Sequence, residues 1–454
     1  MPPPRTRRPG TCGPPCGKPL RRSCPHPPAR PAARPSPAGR GHLPRTGESP
    51  FCQSRELPCS ESTRNVERQT KVEFRVDRQT LAEAVAWAAR TLPARPALPV
   101  LAGMLVEAAA DGGLTFAGFD YEASTRARVD AEVAEPGRAL VPGRLLAEIV
   151  RSLPAQPVEF TTKGAEVVVR CGPAEFGLLT LPVEDYPTLP EPPARAGTVP
   201  GDLFAAAVAQ VVPAAGRDDT LPMLTGVRID IDGDTMWLAC TDRYRIAARE
   251  LTWSPAEAGF TAGVVVPART LADTAKAIRP GAEVALDLTG AADTLIGVSG
   301  GGRSMTSRLL DDQYINYRSR LTGDWSSVAE IRTAPFVEAI KRVALVTERG
   351  TPIRLGFTAG EVRVRAASGD AARANESLGV ELSGDDIDIA FAPQYLLDGL
   401  AGIDTEYARL ECAGPTKAAL LTGIPDRKDG EEPPADAPSD TGFRYLAMPV
   451  RLSA

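Results

Sequence analysis

Leu221-Pro222-Met223-Leu224, then Cys240-Thr241-Asp242-Arg243-Tyr244, then Val265-Val266-Pro267: these blocks decide the fold, because an earlier stretch spells them out as well. There they read Leu98-Pro99-Val100-Leu101, Gly118-Phe119-Asp120-Tyr121 and Leu140-Val141-Pro142, at offsets of 123, 122 and 125 residues. A third, more diverged copy keeps Ser368-Gly369-Asp370 and Ala392-Pro393. A period near 125 residues is domain-sized, so each copy can bury a core of its own.

Working outward, each copy opens on an amphipathic helix: Leu81, Val85, Ala88 and Leu92 in the first, Phe204, Val208 and Val211 in the second, Phe336, Ile340 and Val343 in the third. A second helix follows the Val-Pro punctuation, with Leu145, Leu146, Ile149 and Leu153, then Leu271, Ala275 and Ile278, then Tyr395, Leu396 and Leu400 turned inward. Period-two alternation marks strands in Val227–Ile231 and Val362–Ala366, with further strands over 166–170, 295–298, 305–310, 409–411, 419–421 and 445–452. In the last of these, alternation sends Leu446, Met448 and Val450 to one face. The expected class is α+β, three tandem copies of two helices on antiparallel sheet. The expected domains are 71–193, 197–321 and 327–454, with Pro-rich linkers between them and a mobile acidic loop at 426–442.

Residues 1–70 differ in kind. They hold 13 Lys and Arg against 4 Asp and Glu, while the remainder holds 39 against 53, a formal −14. They also carry 16 of the 44 prolines and five of the eight cysteines, with almost no apolar periodicity. Such a stretch is expected to be disordered; translation starting near Val66 or Val72 would remove it. Cys12, Cys16, Cys24 and His26 match no common zinc spacing, so no metal is expected. With no apolar run long enough to span a bilayer, the expected location is the cytoplasm.

Catalytic signals are thin. Residues 71–454 contain no histidine, which removes His-dependent bases and metal sites. Gly297-Val298-Ser299-Gly300-Gly301 matches a nucleophile elbow but lacks its base, and reads better as a hairpin turn. Asp218-Asp219 and Asp311-Asp312 read as solvated turns. No phosphate loop occurs and no cofactor is expected. The basic residues carry more: Arg144 and Arg151 lie seven apart on one expected helix, and Arg269 and Lys276 repeat that spacing 125 residues on. Lys341 and Arg342 add to a third. A repeated basic stripe suits a polyanion, although ordinary solvated faces stay open on pattern alone.

At this point the chain resembles the bacterial DNA polymerase III β subunit, the sliding clamp family, over about 72–454, with an actinobacterial flavour. The resemblance rests on five blocks in order: residues 95–101, 180–187, Asp219-Thr220-Leu221-Pro222-Met223-Leu224-Thr225-Gly226, Ala239-Cys240-Thr241-Asp242-Arg243-Tyr244-Arg245, and 445–452. It implies a homodimer of six domains closed round duplex DNA, without enzymatic activity, tethering the polymerase III α subunit, the clamp loader and other clamp-motif proteins. It also implies a DNA-facing lining that includes Arg95, Arg144, Arg151, Arg269 and Lys276. A client-peptide pocket would draw on Leu224, Thr241, Arg243, Tyr244, Arg245 and Ile246 from copy two, and Tyr395, Leu446, Met448, Pro449, Val450, Arg451 and Leu452 from copy three. Ile315 and Ala392 depart from the family pattern and would reshape one wall. Alternatives are a divergent second clamp copy serving in stress or inhibitor resistance, a ring scaffold without DNA, and a triplicated α+β enzyme.

Overall fold

The computed structural model describes residues 71–289, 294–310, 313–348, 350–368, 372–424 and 442–451. The charged N-terminal stretch, the 426–441 part of the acidic loop, Gly369-Asp370, Asp311-Asp312 and Leu452 lie outside them.

Among the described residues each copy has nine strands and two α-helices. The helices are α1 (Arg78–Ala88) and α2 (Gly143–Ser152) in copy one, α3 (Gly201–Val211) and α4 (Ala268–Ala277) in copy two, and α5 (Thr333–Ala344) and α6 (Pro393–Ala401) in copy three. Local chemistry starts them. Asp77 accepts from the Gln79 and Thr80 amides at 2.9 Å and caps α1. Pro142, Pro200 and Pro267 stand directly before α2, α3 and α4, and Pro393 occupies the first turn of α6, where its missing N–H costs nothing. The inward stripes are buried as expected, with Leu81, Phe204, Leu271, Phe336 and Leu396 at most 2% exposed. Leu145 is a correction. The other apolar positions of α2 already fill its inner stripe, which turns Leu145 outward at 47% exposure.

The strands join into four antiparallel sheets, two of which cross the copy boundaries. The last strand of copy two, Arg303–Arg308, pairs with the fourth strand of copy one, Ala123–Asp130, so that Met305 faces Thr125. The last strand of copy three, Phe443–Ala447, pairs in the same way with the fourth strand of copy two, Arg245–Thr252, setting Leu446 opposite Ile246. Two nine-stranded sheets result, each shared between neighbouring copies. The helices meet across these seams too: Arg90 pairs with Asp273 of α4 at 2.9 Å, and Gln210 of α3 donates to the Gly402 carbonyl at 2.8 Å. One face of the assembly is therefore sheet and the other a continuous helix layer.

Three readings change in the folded chain. The segments after copies one and two are straps lying on the sheet. Tyr186 and Leu189 close a small core over Leu105 and Leu140, and Tyr317 and Leu321 close another over Ile246, Leu420 and Leu446. The terminal strand ends at Ala447, not Leu452. Beyond it the chain is held by single hydrogen bonds, Met448 N–H to the Tyr244 carbonyl and Val450 N–H to the Ala390 carbonyl, so Met448 and Val450 do not share the buried face of Leu446. The strand expected at 305–310 sits at Arg303–Arg308. The glycine run is a hairpin turn, with Gly301 and Gly302 at φ +59° and +79°, the left-handed pair a tight two-residue hairpin needs.

Candidate functional site

On the helix layer, Arg144, Arg151, Arg269 and Lys276 are all exposed, and Arg95 is exposed in the loop after α1. Arg144 is steadied by donating to the Leu92 carbonyl at 2.6 Å. Lys341 and Arg342 differ. Lys341 pairs with Glu338 at 2.9 Å and Arg342 makes a forked pair with Glu376, so both positive charges are matched locally.

The second seam gathers the other candidates and divides them by side. Alternation along Arg245–Thr252 places Ile246 on the strap side, packed with Leu446 beneath Tyr317 and Leu321, and places Arg245 on the helix side. Thr241 is buried and donates to the Arg245 carbonyl at 2.7 Å, and Leu224 is buried on its short helical turn. Arg243, Tyr244, Met448, Val450 and Arg451 stand exposed at the end of the seam, and Pro449 is half-buried. A buried apolar floor thus meets an exposed lip of aromatic, thioether and guanidinium groups.

Arg245 holds this arrangement. Its Nε donates to Asp242 at 2.9 Å; its terminal nitrogens reach Asp398 of α6, the Tyr445 hydroxyl at 3.3 Å and the Pro213 carbonyl. The guanidinium also lies 4.5 Å from the Tyr395 ring centroid. Burial alone would depress its pKa, but Tyr445, Asp398 and Asp242 hold it above the ordinary arginine value. Burial raises the Tyr445 phenol, so it stays a neutral hydroxyl that accepts from Arg245. Arg245 is consequently a strut between copies two and three, with little left to offer a ligand. Asp398, Pro213 and Tyr445 complete it, and none was legible beforehand. Asp398 looks like any helix-surface acid, and its hydrogen bond from Gln394 one turn earlier is the sole local sign.

The turn before this strut is strained. Arg243 sits at φ +79°, and Tyr121 in the matching turn of copy one at φ +76°. In both turns an aspartate pays for the conformation, Asp242 accepting from the Tyr244 and Arg245 amides and Asp120 from those of Glu122 and Ala123. Ile315 is 47% exposed on its strap, and Ala392 caps α6 without a side-chain bond.

The described residues contain no group of three or more His, Cys, Asp or Glu able to hold a metal, and none of their helices is long and apolar enough to cross a membrane. Cys171, Cys240 and Cys412 are buried free thiols, with burial pushing Cys412 up to about 12.

Three copies stitched sheet to sheet, with exposed basic side chains on the helix layer and a lipped cleft at the second seam, define a clamp-type architecture. The comparisons agree domain by domain: residues 72–190 match the N-terminal domain of the DNA polymerase III beta subunit, 198–316 its central domain and 321–429 its C-terminal domain. The chain belongs to that family, and its function is that of a DNA sliding clamp. It is 53% identical over 384 residues to the Beta sliding clamp of Streptomyces coelicolor, which covers 84% of this chain and all of the relative. It is 43% identical over 379 residues to the Beta sliding clamp homolog GriR of Streptomyces muensis, covering 84% and 99%. Among solved structures, a Pseudomonas aeruginosa sliding clamp bound to griselimycin superposes with a TM-score of 0.75 at 26% identity, covering 84% and 100%.

Proposed function

We propose that two of these chains close head to tail into a ring that slides on duplex DNA in the cytoplasm, without catalysis of its own, and tethers the polymerase III α subunit, the clamp loader and other clients. The observation that carries this is which strands are left at a sheet edge with one side open. In both seams the last strand of one copy joins the fourth strand of the copy before it. That rule leaves two strands over, the last of copy one, Ala174–Leu179, and the fourth of copy three, Ala372–Gly379, each at the edge of its sheet. Joining them between chains extends the rule to a third kind of seam and closes the ring.

Phosphate contacts from a helix lining are degenerate in sequence, which sliding requires. Arg95, Arg144, Arg151, Arg269 and Lys276 serve that role in this reading, and an acidic remainder of the surface keeps DNA to the bore. Arg144→Ala with Arg269→Ala should lower the salt dependence of DNA retention by about two units of log–log slope per chain, each contact contributing about 0.9. Retention on nicked circular DNA, measured across a salt series and again after linearisation, tests both parts. An unchanged slope removes these arginines from the bore, and retention that survives linearisation defeats encirclement.

The client peptide, in this reading, lays an apolar anchor on the lip formed by Tyr244, Met448 and Val450, over Leu224, Ile246 and Leu446, with Thr241, Arg243, Tyr395, Pro449 and Arg451 around it. Met448→Ala should weaken a labelled glutamine–leucine–phenylalanine-type peptide by roughly 5- to 150-fold, or about 1–3 kcal/mol. The melting temperature should hold, because Met448 is 42% exposed and its loss leaves no buried cavity. Equal affinity in wild type and variant would take Met448 out of the site.

A further inference from the structure

The two intrachain seams share a strand rule but not a surface. On the side away from the helices, one cross-strand row at the second seam runs Glu330, Arg409, Thr422, Arg444, Ala248. It is filled: Arg409 pairs with Glu330 at 2.9 Å, and the Arg444 guanidinium lies 5.1 Å from the Trp237 ring centroid. The matching row at the first seam runs Thr198, Ala285, Ser299, Ser304, Arg126. Thr198, Ala285 and Ser304 stand where Glu330, Arg409 and Arg444 do, only Arg126 is larger than its counterpart Ala248, and a trough of about 460 Å³ opens along the row.

Arginines stand at both ends. Arg126 and Arg128, two apart on one strand, wall one end, and Arg195 walls the other. Alternation turns Arg126 and Arg128 away from the helix layer, since Thr125, their neighbour on the opposite face, hydrogen-bonds the Ala88 carbonyl. Arg303 turns the other way, to the Ala277 carbonyl and Glu83. Arg128 is matched by Asp111 at 3.0 Å, but Arg126 to Glu191 and Arg195 to Asp287 are both 3.5 Å apart, at the limit of a hydrogen bond. Glu283, the one acid of the trough lining, is engaged by the Thr198 hydroxyl at 2.7 Å.

We propose that this trough docks an extended acidic peptide segment of a partner protein, at a place separate from both the helix layer and the second-seam cleft. Four interstrand steps put the arginine ends roughly 19 Å apart, the span of about six extended residues. The ligand therefore carries carboxylates at both ends of such a segment, received by guanidinium forks, with serine and threonine hydroxyls available to its backbone. A single-stranded nucleic acid fits less well. Its bases need stacking platforms, and no aromatic residue lines the trough.

The test uses the full chain at low salt and a fluorescent octapeptide with two glutamates at each end and glycine-serine between, beside its glutamine counterpart and an eight-nucleotide oligo(dT). The acidic peptide should bind at least tenfold more tightly than the glutamine peptide. Arg126→Ala with Arg195→Ala should weaken it about tenfold or more, and Ser299→Phe, which fills the floor and leaves every arginine in place, should do the same while melting as wild type does. Arg144→Ala with Arg269→Ala should change it less than twofold, which separates the trough from the helix layer. Acidic-peptide binding untouched by both trough changes, no binding at all, or oligo(dT) binding that the trough changes selectively abolish would overturn the assignment.

Discussion

Leu345→Asp combined with Leu179→Asp is expected to leave the protein a single-chain species at micromolar concentration. Exposed leucines cluster where the ring reading needs them. Leu179 ends the edge strand of copy one at 73% exposure, and Leu145 stands 47% exposed on α2 of the same copy. Leu345, 84% exposed, follows α5, the helix that packs on the edge strand Ala372–Gly379 of copy three. Aligning the buried stripes of α1 and α5 makes Leu345 the counterpart of Arg90, and Arg90 crosses the first seam to Asp273 of α4. The counterpart of α4 in copy one is α2, where Glu148 matches Asp273 and Leu145 lies three residues, about one turn, before it. Leu345 is thus placed to reach Leu145 of a second chain.

Burying a leucine contributes about 1.5–3 kcal/mol, and a closed ring has two such seams. Two seams at ~3 kcal/mol each amount to roughly four orders of magnitude in dimer dissociation, before any cost of burying carboxylates. Sedimentation equilibrium of wild type and the double variant decides it. A double variant that stays dimeric would move the interface away from these edges, and a wild type that sediments as one chain would defeat head-to-tail closure altogether.

The second large effect concerns stability. Arg245→Met should lower the melting temperature by roughly 10 °C or more, because it leaves Asp242 and Asp398 buried without their cation. Breaking a buried pair by removing one partner costs about 3–5 kcal/mol. The side chains concerned are 8%, 18% and 19% exposed, so solvent screens little of this. Adding Asp398→Asn to Arg245→Met should recover part of the loss, since an amide in place of the stranded carboxylate removes the charge. At the first seam the contrast is marked: Arg126→Ala removes a 3.5 Å contact to an acid 81% exposed and should shift the melt by no more than a few degrees. Calorimetry of the three variants makes the comparison. An Arg245→Met protein melting within 2 °C of wild type would show that the strut is ornamental to stability.

How far the site was legible follows from the range of the signals. The seven-residue recurrence of Arg144 and Arg151, and of Arg269 and Lys276, is local, and the structure leaves all four exposed on their helices. Lys341 and Arg342 looked alike in sequence, yet Glu376, on a strand 34 residues further on, neutralises Arg342. Tyr445–Leu452 shows the limit of periodicity. Alternation continues on paper through Met448 and Val450, but Arg245 is the last residue of the partner strand to pair, opposite Ala447. Beyond it no ladder remains to keep the pleat.

By itself, the sequence determined that this is a triplicated α+β chain. Helix stripes, Val-Pro helix starts and the 125-residue period depend on bonds and contacts within a few turns of chain, and those are written in order along it. Tertiary structure alone decided what joins the copies: which strands pair across the seams, that Arg245 is a strut rather than a rim, and that the first seam has a trough where the second is filled. Each of these depends on groups tens to hundreds of residues apart, Arg245 meeting Asp398 and Tyr445, Ser304 standing where Arg444 stands one copy later. Such pairings are chosen by the packing of whole sheets and helix layers, and no stretch of chain short enough to show a pattern contains both partners.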